Sequence, residues 1–570
     1  VSLSTAGAQA NDDCAPPAMS ADGRFIVFRS FASTLVTGDV NGMSDVFLRD
    51  RATGQTTLVS IGSNGQQGNQ GCDNGVAISA DGRYVAFTSL ASNLVPNDTN
   101  DAFDIFVRDL LTGTTTRETV DSNGNQGNGD SRYPSLSADG RYLAFASTAT
   151  NLVPGDTNIV WDVFVRDRVA GTTVRVSVST NGQQGNESSF GPVMSPDGRY
   201  VGFTSLATNL VPNDNNNSRD AFVHDMVTGR TTCISVDAAG NTGNGDSVIT
   251  SFSADDRYVA FHGGANNLVP NDTNNAWDVF VSDLLTNTLA IVSVDSNGNE
   301  GNLSSTNGVL SPDGRYVAFS SQATNLVPGD TNNWLDVFVH DRMTGATERV
   351  SVSSDGVQGD TWSDTPQLTP DGRLIAFASA STNLVRGDTN GHTDIFVRDR
   401  NPSGATSLCD PGVANVIACP CGNPPSGAGR GCDNSSATGG ASISASGVAY
   451  TSADSLVFTT AGEKPTATSI VLQGNVPSAS GVVFGQGVRC AAGLLKRLYT
   501  KTASAGSIVA PDFGAGDETV SARSTTLGDV IQAGQSRWYL VYYRDPNVLG
   551  GCSIDSTFNA TQTLRIDWWM

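Results

Sequence analysis

One nine-residue frame occurs seven times in the first 400 residues of this chain, and that repetition constrains the fold more than any other feature. The copies are "SADGRFIVF" (20–28), "SADGRYVAF" (79–87), "SADGRYLAF" (137–145), "SPDGRYVGF" (195–203), "SADDRYVAF" (253–261), "SPDGRYVAF" (311–319) and "TPDGRLIAF" (369–377). The first step is 59 residues and the other five are 58. A repeat of this size is one supersecondary unit. It cannot bury its own apolar face and must stack on its neighbours.

Each repeat reads as four strands. A short strand ends at the "DG" turn, a strong hairpin signal. "RYVAF" follows, then a loop, then "DVFVRD", then a "TG" turn and a strand such as "TTVRVSVS" (172–179). In the second strand Leu143 and Phe145 alternate with Tyr142 and Ala144, apolar on both faces. Such a strand must be covered on both sides. The fourth strand alternates Val174, Val176 and Val178 with Arg175, Ser177 and Ser179, the pattern of an outer, half-exposed strand. Seven such sheets predict a seven-bladed β-propeller. A solenoid is the rival, but it needs polar caps. The seventh copy lacks a fourth strand, while the chain opens on "VSLS", a fourth strand lacking the other three. Val1–Ser4 is therefore expected to close the ring, or to be donated to another copy.

The frame S-[AP]-D-G-R-x-[VIL]-[AVG]-F resembles the propeller repeats of TolB-type (WD40-like) proteins over residues 1–400. That resemblance implies the fold and says little of activity. Family members include periplasmic envelope proteins and non-catalytic propellers attached to peptidases. The longer loop between second and third strands departs from the family repeat.

The domain expectation is a propeller at 1–402, a Cys/Pro/Gly-rich linker at 403–433 and a β-sandwich or jelly-roll-like domain at 434–570. The last part alternates in "SLVFTTA", "SRWYLVYYRD" and "TLRIDWW". Its pattern "CPCGN…GRGCDNS…GQGVRCAAG…YYRDP…C…FNATQTLRIDW" resembles an uncharacterised module at the C-terminus of some secreted bacterial proteins, which implies export. A Cys490–Cys552 bridge is the single pairing expected there. The terminal "DWWM" is expected to seek a partner.

Six of nine cysteines (Cys409, Cys419, Cys421, Cys432, Cys490, Cys552) crowd into this last part, a pattern of disulfides in an oxidising compartment. "CPC" with Cys409 and Cys432 has spacing poorly suited to zinc. Cys14 and Cys72 fall at nearly the same place in consecutive repeats, so a bridge between them is expected, with Cys233 left as a buried thiol. The chain starts at Val1 without Met or leader, which reads as a removed leader or a fragment.

The net charge is −23. Beyond Asn401 the chain has 11 acidic and 10 basic residues, so the repeats carry almost the whole excess. An acidic surface repels nucleic acid and anionic lipid. No apolar run is long enough to span a membrane as a helix. Neither nucleic acid nor membrane insertion is expected.

Chemistry is sparse. There are four histidines, and His224 and His340 share one repeat position. No nucleophile elbow, phosphate loop or dinucleotide fingerprint occurs. The tripeptide Arg386–Asp388 replaces "PGD" in the repeat frame and reads as a chance adhesion match. The Asp and Gly of "DGR" fit hairpin geometry, and the Arg can pair with the strand-end Asp.

The loop before the third strand carries Asp, Asn and Asp at relative positions one, three and seven in every copy. These are Asp39, Asn41, Asp45; Asp98, Asn100, Asp104; Asp156, Asn158, Asp162; Asp214, Asn216, Asp220; Asp272, Asn274, Asp278; Asp330, Asn332, Asp336; and Asp388, Asn390, Asp394. Closely spaced hard oxygens on a turning loop suit calcium. They equally suit loop pinning by Asx turns without metal. Both readings stay open at this level. The loop tips vary, and Phe103, Trp161, Trp277 and Trp334 are the candidate contact residues, for stacking on a glycan or packing into a protein.

Together these features predict an exported, non-enzymatic structural or adhesive scaffold at the cell surface or in the extracellular matrix. Its partners would be proteins or further copies of itself, with calcium stiffening the loops. The alternatives are a carbohydrate-binding protein using the loop Trp residues and an enzyme with its site in the propeller channel.

Overall fold

The computed structural model describes all residues except 271, 401–404, 408–410, 413–415, 428, 448, 450–453, 533–534, 550–555 and 569–570. The chain forms two compact units, Val1–Arg400 and Asn401–Met570.

The first unit is a seven-bladed β-propeller. Six blades are four-stranded antiparallel sheets in sequence order; the seventh has three strands, Ser363–Leu368, Leu374–Ser379 and Asp394–Asp399. Blade three shows the plan: Ser131–Leu136 innermost, then Tyr142–Ser147, Asp162–Asp167 and Thr172–Arg175. Each inner strand touches the next, and the first touches the seventh, so the ring is closed. The N-terminal residues take the missing place. The Val1 nitrogen donates to the Ile395 carbonyl at 2.7 Å, as the Val59 N–H donates to Val46 in blade one. Ser2 donates its hydroxyl to Asp394 and accepts from the Ile395 N–H at 3.0 Å.

The middle strands are buried on both faces, as their composition requires. In each blade the Phe of the second strand stacks on the Phe of the third, with centroids 5.3–6.0 Å apart, as in Phe145–Phe164. Clusters of apolar side chains form between successive blades; one joins Ala144, Val163 and Val165 of blade three to Val201 and Phe203 of blade four. The "DGR" arginine of every blade forms an ion pair with the Asp ending the third strand, Arg24–Asp50 and Arg141–Asp167 among them, at 2.7–2.9 Å. Its Gly lies in the left-handed region, and in blades two to four and six and seven it faces an aromatic ring of the preceding blade. A Cβ on Gly198 would stand 2.2 Å from the Tyr142 ring.

Two expectations fail here. Cys14 and Cys72 are free and buried, not bridged. Each pairs within its own blade, Cys14 beside Ser30 and Cys72 beside Ser89, and they sit in different apolar clusters. They fill a place that Ser131 or Ser189 takes elsewhere, where the hydroxyl meets a second-strand Ser. The fourth strand also does not turn its polar face outward. Val174 is exposed, whereas Ser177 is buried and the Arg175 side chain nearly so, because both are drawn onto the carboxylates of the preceding loop.

The second unit is a β-sandwich. A six-stranded antiparallel sheet contains Thr468–Gly474, Lys496–Thr502, Ser536–Arg544 and Leu564–Asp567, and a three-stranded sheet faces it. Phe458 of the small sheet packs on Tyr539 of the large one with centroids 4.7 Å apart. Of the terminal "DWWM", Trp568 is fully buried in this core, with its indole N–H toward the Tyr539 hydroxyl at 3.3 Å, while Trp569 and Met570 lie outside the described residues. Cys419 and Cys432 form a disulfide with each other, and Cys421 and Cys490 are each engaged in a disulfide as well. Cys409 and Cys552, and with them the expected Cys490–Cys552 pairing, lie outside the described residues. No described helix is long and apolar enough to cross a membrane.

Candidate functional site: the central channel

The seven Asp-x-Asn-x3-Asp loops are local latches. In blade one the Gln67 amide donates to both Asp39 and Asp45 at 2.8 Å. Gln126 does the same for Asp98 and Asp104, and Gln184 for Asp156 and Asp162. A fourth-strand arginine adds its charge in blades two, three and six: Arg117, Arg175 and Arg349 stand 3.2–3.3 Å from Asp98, Asp156 and Asp330. In blade seven Gln9 reaches Asp388 at 3.2 Å. The frame Asn is a donor here. Asn41, Asn100, Asn216, Asn274, Asn332 and Asn390 each aim an amide N–H at the second Asp, and Asn158 donates to the Gly185 carbonyl. The second Asp also accepts a Ser or Thr hydroxyl, as Asp162 does from Ser177 at 2.5 Å. Where an amide N–H or a guanidinium already stands between the two carboxylates, it supplies the positive pole a cation would.

The candidate contact residues lie at the rim where these loops meet the inner strands. The Trp161 carbonyl accepts the Ser189 N–H at 2.7 Å, and the Trp277 carbonyl accepts the Ser305 N–H at 2.6 Å, so both residues lock one blade to the next. Phe103 lies beneath the Arg132 guanidinium, 4.4 Å from ring to charge. Trp334 is half exposed.

The repeat symmetry breaks in the central channel. The second residue of the inner segment is Ala15, Asp73, Arg132, Phe190, Val248, Thr306 or Asp364; the residue after the second-strand Phe is Arg29, Thr88, Ala146, Thr204, His262, Ser320 or Ala378. Arg132 pairs with Asp73 across neighbouring blades. His262 accepts the Asn307 N–H on Nδ1 at 3.2 Å, and its ring lies 5.5 Å from that of Trp277. Burial pushes the His262 pKa down to about 4, against the pull of Asp364, so the ring is neutral at pH 7. With Nδ1 accepting, the proton sits on Nε2. The Asn307 amide donates to Asp364 at 2.9 Å, completing a chain of polar groups across blades five to seven.

The backbone is bent to build this wall. Tyr133, Asn307 and Thr365 hold one position of the inner strand at φ +58°, +54° and +54°, and the register shifts there or nearby. A β-branched Thr in the left-handed region costs on the order of 1–3 kcal/mol, strain of a kind that collects at functional sites. Among blades one, two and five to seven lies a cavity of about 560 Å³. Its floor is apolar, with Val76, Val248, Ile249 and Val309; Arg29, His262, Thr250 and Gln367 supply its polar points. Among the described residues lining it, Arg29 alone is charged.

None of these channel residues follows from the sequence motifs. The signal lay in the variation: a frame Ser or Cys followed by Asp, Arg, Phe, Val, Thr or Asp. Variation at a rim loop and variation at a channel wall look alike until the ring is closed.

No protein-family model matches this chain, and no curated protein does. Solved structures do resemble it in fold. An oligogalacturonate lyase from Vibrio parahaemolyticus is 16% identical, covers 68% of this chain and 90% of its own, and has a TM-score of 0.43. TolB from Acinetobacter baumannii is 15% identical, with 67% and 81% covered and a TM-score of 0.32. A prolyl endopeptidase is 12% identical, with 82% and 56% covered and a TM-score of 0.42. The likeness is of fold alone, and the structures that share it include enzymes as well as TolB. The expectation of a non-enzymatic adhesive scaffold is corrected by this finding: it rested on the absence of catalytic motifs, and the structures of like fold include a lyase and a peptidase.

Proposed function

We propose that the central channel is the site at which this protein works, by binding a small organic anion. The observation that carries this is the cavity beside Arg29. In a chain of net charge −23, the charged group among the described residues lining a cavity of about 560 Å³ is a guanidinium. A volume of that size suits a small ligand, with an apolar floor for its body and a few polar groups for its orientation. A guanidinium can take a carboxylate through paired N–H groups, and the neutral His262 among the lining residues carries a further N–H on Nε2. The disulfide of the second unit supports export to an oxidising compartment.

The test is ligand-observed NMR against a panel of mono-, di- and tricarboxylates, repeated with Arg29→Met and His262→Gln. Binding by the parent protein, lost in Arg29→Met and weakened in His262→Gln, is the expected result. A panel with no binder, or one bound equally well by Arg29→Met, refutes the proposal.

A further inference from the structure

The loop of blade five departs from its siblings at both places where they hold a positive pole. The glutamine that bridges the paired Asps in blades one to three is Glu300 here, and the arginine of blades two, three and six is Ile291. Glu300 keeps the reach of that glutamine. It accepts the Thr273 N–H at 3.1 Å, as Gln126 accepts the Thr99 N–H at 3.2 Å in blade two. What a carboxylate cannot do is donate to Asp272 and Asp278. Three carboxylates therefore converge, with an oxygen of each within 4.8 Å of the others.

Asp278 is still served, by the Ser293 hydroxyl at 2.6 Å and the Asn274 amide at 2.8 Å. Asp272 is not. It is 8% exposed, and neither of its carboxylate oxygens has a hydrogen-bond partner. A buried carboxylate without a donor, beside two more, is costly unless a proton or a cation joins them. Blade four also lacks both bridging groups, with Thr242 and Cys233 in their places, but among the described residues no third carboxylate completes its pair, Asp214 and Asp220.

We infer that blade five holds one divalent cation of the calcium class, ligated by Asp272, Asp278 and Glu300, in the place where sibling blades put an amide N–H. Three carboxylates, two from the loop before the third strand and one from the turn beyond the fourth, form an all-oxygen, hard donor set of the kind calcium takes. Glu300, half-buried at the edge of the cluster, leaves an approach from solvent. The inference does not depend on the channel or its ligand.

The test uses calcium chloride as the probe and the full chain, stripped with chelator. Bound calcium is counted by equilibrium dialysis, and melting is followed with and without the metal. Glu300→Gln restores the chemistry of blades one to three, so it is expected to fold. Parent protein is expected to bind one calcium more than Glu300→Gln and to melt higher in calcium, since a ligand held only by the folded state stabilises it. The metal-free variant is expected to melt no lower than metal-free parent. Asp272→Asn gives the same comparison if Glu300→Gln fails to fold. No calcium bound by the parent, or equal calcium in parent and variants, overturns the inference.

Discussion

Asp256 is the one residue that breaks the "DG" turn of the propeller, and replacing it should stabilise the protein in a pH-dependent way. The other six blades place Gly at this position with φ between +63° and +79°. Asp256 adopts +57°, a region that costs a residue with a Cβ roughly 1 kcal/mol. Its carboxyl faces Asp197 of the preceding blade, and its Oδ1 is buried without a partner. Burial first, then Asp197, raises its pKa to about 7. A pKa raised on folding means the contribution is fully present below the unfolded value near 3.8 and is lost as pH rises through about 7. Discounted for partial exposure, the unmet carboxylate costs about 1–2 kcal/mol at pH 8. Asp256→Gly should therefore stabilise by about 2–3 kcal/mol at pH 8 and about 1 kcal/mol at pH 4. Asp256→Asn, which tolerates the left-handed backbone, should recover only the pH-dependent part. For a unit of 400 residues the conversion is on the order of 1 °C per kcal/mol. Differential scanning calorimetry at pH 4 and pH 8 on the three proteins resolves such shifts. Variants that melt no higher than the parent at pH 8, or by the same margin at both pH values, would refute this reasoning.

Three further outcomes are expected. Phe164→Ala removes one ring of a fully buried stacked pair and should cost about 3–5 kcal/mol in urea unfolding. The Arg–Asp pairs hold Asp50, Asp167 and Asp283 near 2, chiefly through their arginine hydrogen bonds. Their contribution is present above the unfolded value and lost as pH falls from about 4 to 2, so tryptophan fluorescence should show a steep loss of stability across that window, shallower in Arg141→Met. Cys14, Cys72 and Cys233 are buried, with thiols pushed up to about 12 by burial, so iodoacetamide mapping by mass spectrometry should find all three unlabelled in the native protein and labelled in denaturant.

The fold was legible because its determinants are local and copied. The "DGR" turn, the doubly apolar middle strands and the incomplete seventh copy each predict what the structure shows, including ring closure through Val1 and Ser2. The latches were half legible. Asp156, Asn158 and Asp162 announce themselves at fixed spacing. Their partners Gln184 and Arg175 do not, because they come from the fourth strand and the turn beyond it. Cys14 and Cys72 misled for a related reason: equal places in consecutive repeats lie in separate blades, so equivalence in sequence keeps them apart in space.

The sequence by itself determined the seven blades, their strand order and the turn and loop residues common to them, since every blade restates the same short-range instructions. Only the tertiary structure decided where the copies differ to effect. Arg29 and His262 are 233 residues apart in the chain and share a cavity because ring closure brings blades one and five to the same channel. Glu300 is one substitution among many in a Gly- and Asn-rich turn until the fold sets it against Asp272 and Asp278. A repeat fixes what is common to its copies through local geometry. What is particular to one copy acquires meaning only from the neighbours that closure gives it.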